Sequence, residues 1–149
     1  MLVDFAVLVA VIALLGATAP RWPDRWLGLT AWHLPFLPWE TPAFYRRIGA
    51  SWLAARLPEA GALFGGQSKS ALPGTDGPAL QRYYIEVSRA EWVHVGSIVG
   101  ACVLFLFNPW WLALGWVVFA AVANGPFLAI LRNNRLRLQG ILERMGSRT

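Results

Sequence analysis

Residues 2–19, LVDFAVLVAVIALLGATA, carry a single charge, Asp4. A run of that length just crosses a hydrocarbon core of about 30 Å. Two more apolar runs follow much later, at about 90–107 and 110–131. In lipid every backbone N–H and C=O must be paired internally, so segments of this length and spacing can cross only as helices. The expected fold is an all-α integral membrane protein: one membrane domain, residues 1–149, with about three transmembrane helices plus interfacial amphipathic helices. Composition agrees, since 56% of the chain is hydrophobic and only 14% charged, where a soluble domain has about 25% charged residues. The Ala17-Thr18-Ala19 triplet has the form of a signal-peptide cleavage site. The run lacks a basic flank, however, carries Asp4 and is followed by Pro20, which favours a retained helix.

Between the first and second runs the character changes. RWPDRWLGLTAWHLPFLPWETP is rich in Trp and Pro and too broken to span, which places it at the interface or dipping into it. Thr41 followed by Pro42 reads as a helix cap and first turn. The spacing predicts a helix through PAFYRRIGASWLAARL that stops before Pro58. A Gly/Pro/Ser-rich loop, EAGALFGGQSKSALPGTDGP, comes next, and ALQRYYIEVSRAEW leads into the second span. Residues 20–89 thus form an interfacial or cytoplasmic segment. Asn108-Pro109 reads as a tight turn. Asn124-Gly125-Pro126 is expected to kink or open the third span. Beyond it, residues 132–149 put Leu131, Leu138, Leu142 and Met145 on one face, the pattern of a basic amphipathic helix lying on a membrane.

The net charge is +5, from twelve Arg and one Lys against eight acidic residues. Seven of these cations fall in 20–88 and five from Arg132 onward, with none near the N-terminus or in the 108–110 turn. Three spans put both basic segments on one side, which the charge bias makes cytoplasmic, with the N-terminus outside. The cell membrane is the expected location, with a multi-pass topology. Trp22, Trp26, Trp32, Trp39, Trp110 and Trp111 flank the spans, as a headgroup belt would. Basic balance beside such spans points to lipid headgroups, and no nucleic-acid motif is present. Cys102 is the lone cysteine, so no internal disulfide forms, and no His/Cys cluster has metal-ligand spacing.

Several ionisable residues lie against or inside the apolar runs. On a helix, Arg82, Tyr83, Glu86, Arg89, His94 and Ser97 share roughly 140° of arc, with Glu91 about 60° from His94. Arg82–Glu86 and Glu86–Arg89 have helix-pair spacing, so the arginines are equally suited to solvating a helix end. His94 lies deepest. A carboxylate three residues away, Glu91, has the spacing to orient its imidazole as a general base. On the third span Asn124, Leu131 and Arg135 share a face with Arg132 about 80° away, and Asn134 follows at the interface. Arginine there can grip phosphate or carboxylate or serve as a topological anchor. Lys69 sits in a Gly-rich loop that lacks a Walker pattern.

Taken in order, Glu40 and Tyr45 before Trp52, Leu57-Pro58, Gly66 to Lys69, Glu86-x-x-Arg89-x-Glu91-x-x-His94, Asn124-Gly125-Pro126 and Arg132-Asn133-Asn134-Arg135 resemble the glycosyl-4,4'-diaponeurosporenoate acyltransferases. These are small membrane enzymes of carotenoid biosynthesis. The resemblance covers about residues 40–137. It departs at Leu53 to Arg56, Leu131 to Arg135 and Val95. It implies transfer of a long-chain acyl group from a thioester donor, acyl-CoA or carrier-linked, to a hydroxyl of a glycosylated carotenoid or a related glycolipid, with no bound cofactor and no metal. It implies His94 as base, oriented by Glu91 or Glu86. Arg89, Arg132, Asn134, Arg135, Asn124, Lys69, Tyr45 and Glu40 become candidates for substrate contacts. Two other readings stay open: an S-adenosylmethionine-dependent membrane lipid methyltransferase, and a non-enzymatic accessory membrane subunit.

Overall fold

The computed structural model describes residues 1–29, 34–57 and 76–147. Lys69, Pro58 and the Gly66–Lys69 loop lie outside the described residues, as do Trp32 and His33. The described part is helical and contains no strand. Helix α1 is Leu2–Thr18, α2 Pro42–Arg47, α3 Ala50–Arg56, α4 Gly77–Gly100 and α5 Trp110–Gly146. Three segments are long and apolar enough to cross a membrane: Leu2–Arg21, Gly77–Leu106 and Trp110–Gly146.

The single charge in α1 has a partner. Asp4 is buried, and its Oδ1 accepts from Asn108 Nδ2 at 3.0 Å, which ties the start of α1 to the turn before α5. Two turns of α1 then lie tight against α4. A Cβ added at Gly100 would stand 2.5 Å from Val11 Cγ1, and one at Gly96 would stand 3.1 Å from Leu15 Cδ1. The two glycines, four residues apart, form a shallow groove for Val11 and Leu15 to fill. Gly100→Ala is expected to destabilise the protein by about 1–3 kcal/mol, because Val11 is β-branched and cannot swing aside. Gly125→Ala, with nothing near its added carbon, should be neutral or slightly stabilising. Thermal midpoints of the two variants in detergent micelles check the contrast.

The cap at α2 forms as Thr41 and Pro42 predict, with Thr41 Oγ1 accepting from Phe44 N at 3.2 Å. The helix does not run on to Leu57, however. Gly49 adopts φ 70°, a left-handed conformation that splits the stretch into α2 and α3. Glycine reaches that region without a Cβ clash. The pair can therefore turn and lay both short helices on α5.

α5 also differs from expectation. Its 37 residues continue through Pro126 and through the tail, a length of about 55 Å. Helicity survives at Pro126, which removes one donor from the ladder but leaves the rest of the segment packed. Most of the face expected to lie on a membrane is instead buried against α4, while Met145 stays 38% exposed. Leu131, Leu138 and Leu142 form a core with Leu80, Tyr83, Tyr84 and Val87, and Ala90 packs on its edge. Burial against a neighbouring helix satisfies the same apolar stripe that a lipid surface would. Helices α4 and α5 pack together, and α2 and α3 pack on α5 as well.

Candidate active site

On α4 the residues Leu80, Tyr84 and Val87 recur at helical spacing and all are buried. Glu91 is the next member of that stripe, 2% exposed. A carboxylate there needs compensation, and α5 supplies it. Arg135 is equally buried; its Nε donates to Glu91 Oε2 at 2.6 Å and its Nη2 to Oε1 at 3.2 Å. Arg132 Nη1 donates to the same Oε1 at 2.6 Å.

Arg132 also reaches the segment before α2. Its Nε donates to Glu40 Oε1 at 2.6 Å, and its Nη2 bonds Glu40 Oε2 and the Pro35 carbonyl. Arg135 Nη2 donates to the Leu34 carbonyl at 2.7 Å. Phe36 lies beneath both guanidiniums, its ring centre 4.2 Å from Arg135 and 5.1 Å from Arg132. Tyr45 donates its hydroxyl proton to Glu40, and Leu37 N donates to Glu40 Oε2 at 2.7 Å. Two carboxylates and two guanidiniums thus form a neutral clasp that straps residues 34–40 across α4 and α5.

Burial raises the Glu40 carboxyl, but hydrogen bonds from Arg132, Tyr45 and the Leu37 amide outweigh it and bring the group from 4.5 to about 2. Burial and the Glu40 charge push the Tyr45 phenol up. A depressed carboxyl contributes stability that is complete above its unfolded value and lost as pH falls toward the folded one. Glu40 should therefore add on the order of 3 kcal/mol at neutral pH, decaying between about pH 4.5 and 2. Unfolding midpoints of wild type and Glu40→Gln are expected to differ at pH 6 and to converge toward pH 3. A gap that does not narrow would contradict the assignment.

One turn deeper along α4, His94 faces Asn124. Its Nδ1 lies 2.7 Å from Asn124 Oδ1, while Asn124 Nδ2 donates to the Ala120 carbonyl at 2.8 Å. That second bond turns the amide oxygen toward the imidazole. An amide oxygen only accepts, so Nδ1 carries the hydrogen, and when the ring is neutral its lone pair is on Nε2. Phe127 stacks on the imidazole at 5.0 Å, with 7° between the planes, and limits its rotation.

The partner at Nδ1 is thus Asn124, whereas spacing offers Glu91 and the family resemblance Glu91 or Glu86. Glu91 turns inward to the arginines, away from the arc shared by Glu86 and Arg89. Glu86 accepts from Arg89, and Arg89 Nη2 donates to Asp24 Oδ1 at 2.8 Å. That trio joins the 22–26 turn to the opposite side of α4. The structure therefore gathers Glu40, Tyr45, Glu91, Arg132 and Arg135 into one network and pairs His94 with Asn124. It leaves Glu86 and Arg89 in a separate cluster. Asn134 is half-buried on α5 between the two clasp arginines. The strap carbonyls, Phe36, Phe127 and Asp24 had no signal beyond lying in aromatic or Pro-broken stretches.

A family model for glycosyl-4,4'-diaponeurosporenoate acyltransferase matches residues 23–144. Comparison with curated proteins and with solved structures finds no match.

Proposed function

The chain belongs to the glycosyl-4,4'-diaponeurosporenoate acyltransferase family, and from that premise we propose that it moves a long-chain acyl group from a thioester to a hydroxyl of a glycosylated carotenoid or related glycolipid, with His94 as base. Membership of an acyltransferase family sets the chain apart from the methyltransferase and accessory-subunit readings. The donor is acyl-CoA or a carrier-linked thioester. The protein works as a multi-pass protein of the cell membrane, with its N-terminus outside and its C-terminus cytoplasmic.

The observation that carries the reading is the hydrogen bond between His94 Nδ1 and Asn124 Oδ1. It directs the basic lone pair to Nε2. In the forward step Nε2 takes the proton of the acceptor hydroxyl as its oxygen attacks the thioester carbonyl. The tetrahedral oxyanion then collapses, the C–S bond breaks, and the thiolate leaves with the proton from the imidazolium. An ester and a thiol result. Asn124 holds the tautomer, and Phe127 holds the ring plane. The clasp of Glu40, Glu91, Arg132 and Arg135 holds residues 34–40 and Tyr45 against α4 and α5. Arg89, Asn134 and Lys69 remain candidates for contacts to donor or acceptor, and Glu86 acts on them through Arg89.

Lipid extracts test this directly. A host supplying the glycosylated carotenoid is compared with and without the protein by mass spectrometry. The expected result is a product heavier by one acyl residue, only where the protein is present. Equal extracts at verified expression would sink acyl transfer to that acceptor.

A further inference from the structure

Helices α2 and α3 carry a face that the site does not use. Across residues 41–57 there is no acidic side chain, and Arg46, Arg47 and Arg56 are all exposed. Trp39, just before the stretch, and Ile48 and Trp52 within it are also exposed, at 55%, 43% and 58%. The Arg56 guanidinium lies over the Trp52 ring, 4.1 Å from its centre, so cation and indole are presented as one unit. The buried side of the pair carries Tyr45 and Ala50. Among the described residues, Glu40, the carboxylate just before the pair, is buried and committed to Arg132, so it offers this face no counter-charge.

The level of the face follows from that same ion pair. Arg132 lies twenty-two residues along α5 from Trp110, about 33 Å at 1.5 Å per residue. That is close to the thickness of a hydrocarbon core. Trp110 and Trp111, both exposed, mark one headgroup level, and the α2–α3 pair, pinned at Arg132, stands at the other.

We propose that the α2–α3 face binds the anionic headgroups of the leaflet at its own end of the molecule. Three exposed arginines in a stretch, residues 41–57, that carries no acidic side chain complement phosphate diesters, which a guanidinium fork grips in bidentate fashion. Exposed indoles and Ile48 suit a surface that is half apolar, and a fully hydrated soluble phosphate would leave them unused. Each basic group near an anionic leaflet strengthens attraction severalfold, and salt screens it. Because α2 follows directly on residues 34–40, the lipid charge would bear on the segment that Arg132 and Arg135 hold.

The full chain, with Cys102→Ala and Ser51→Cys carrying a fluorophore, tests this in nanodiscs of phosphatidylcholine. Nitroxide-labelled phosphatidylglycerol or nitroxide-labelled phosphatidylcholine is added at low mole fraction. Quenching by the anionic lipid is expected to exceed that by the zwitterionic one by at least about fivefold. The preference should fall toward parity in 0.5 M salt and vanish in R46Q/R47Q/R56Q. Those side chains are solvent-exposed, and far-UV circular dichroism checks that the triple variant folds. Equal quenching by both lipids, or a preference that survives the triple substitution, overturns the proposal. So does displacement by soluble adenosine 3',5'-bisphosphate at micromolar concentration, which would make the face a donor-phosphate site.

Discussion

Glu91→Ala is expected to cost about 3–5 kcal/mol of stability and to yield little folded protein. The substitution leaves Arg135, 2% exposed, with the Leu34 carbonyl as its remaining recorded acceptor. An uncompensated buried charge is far more expensive than the net worth of the pair it came from. Arg132 suffers less, because Glu40 still receives its Nε and Nη2. Glu91→Gln keeps an acceptor oxygen in place and should fall between wild type and Glu91→Ala. The informative variant is Glu91→Leu with Arg135→Met, which removes both charges and refills the volume. Buried ion pairs replaced by packed apolar side chains are often neutral or stabilising. The double variant should therefore recover most of the loss, giving a strong coupling energy in the double-mutant cycle. Unfolding midpoints in micelles, followed by far-UV circular dichroism, read wild type, Glu91→Ala, Glu91→Gln, the singles Glu91→Leu and Arg135→Met, and the double variant. A Glu91→Ala loss below about 1 kcal/mol would mean that Glu91 does not neutralise Arg135.

That clasp also shows how far the sequence could be read. The three spans were legible because hydrocarbon admits few solutions, and runs of the right length declare themselves. The cap at Thr41 was legible because its chemistry is local. What spacing could not settle was which of two faces of α4 is buried. The polar arc of Glu86, Arg89 and His94 is the more conspicuous pattern, while Glu91 occupies the apolar stripe of Leu80, Tyr84 and Val87. A charge in the middle of a packing stripe is itself a signal that a buried counter-ion must come from elsewhere. That counter-ion lies some forty residues away on α5, and the strap is about a hundred residues from the arginines it meets, so no local pattern encodes either partner. The tail misled for a related reason. An amphipathic stripe states that something apolar covers it, not whether that is lipid or another helix, and here α4 covers it. Pro126 was a local rule overridden by tertiary packing, and Gly49 was a break hidden inside a good helical pattern.

His94→Gln is expected to lower kcat by about 10²–10⁴ while leaving folding intact. Glutamine is close in size and can still donate to Asn124 Oδ1, so the contact between α4 and α5 persists. It has no lone pair basic enough to take a hydroxyl proton. The loss should therefore fall on kcat with KM nearly unchanged, since an interaction made only in the transition state is removed. In the proposed reaction Asn124 acts through His94, and its variants separate positioning from mere packing. Asn124→Leu fills the space but offers Nδ1 no acceptor, so the ring is free to carry its hydrogen on either nitrogen. A loss of about ten- to hundredfold in kcat is expected. Asn124→Asp keeps an oxygen facing Nδ1, fixes the same tautomer and should retain clearly more activity than Asn124→Leu. A purely structural Asn124 predicts the reverse order, because aspartate gives up the donor to the Ala120 carbonyl and places a charge between helices. Kinetics of purified protein in nanodiscs, with an acyl thioester and a glycosylated acceptor, decide between the two orders. Should His94→Gln retain wild-type kcat, the proton must leave through another group, and the pairing of His94 with Asn124 is then only a joint between helices.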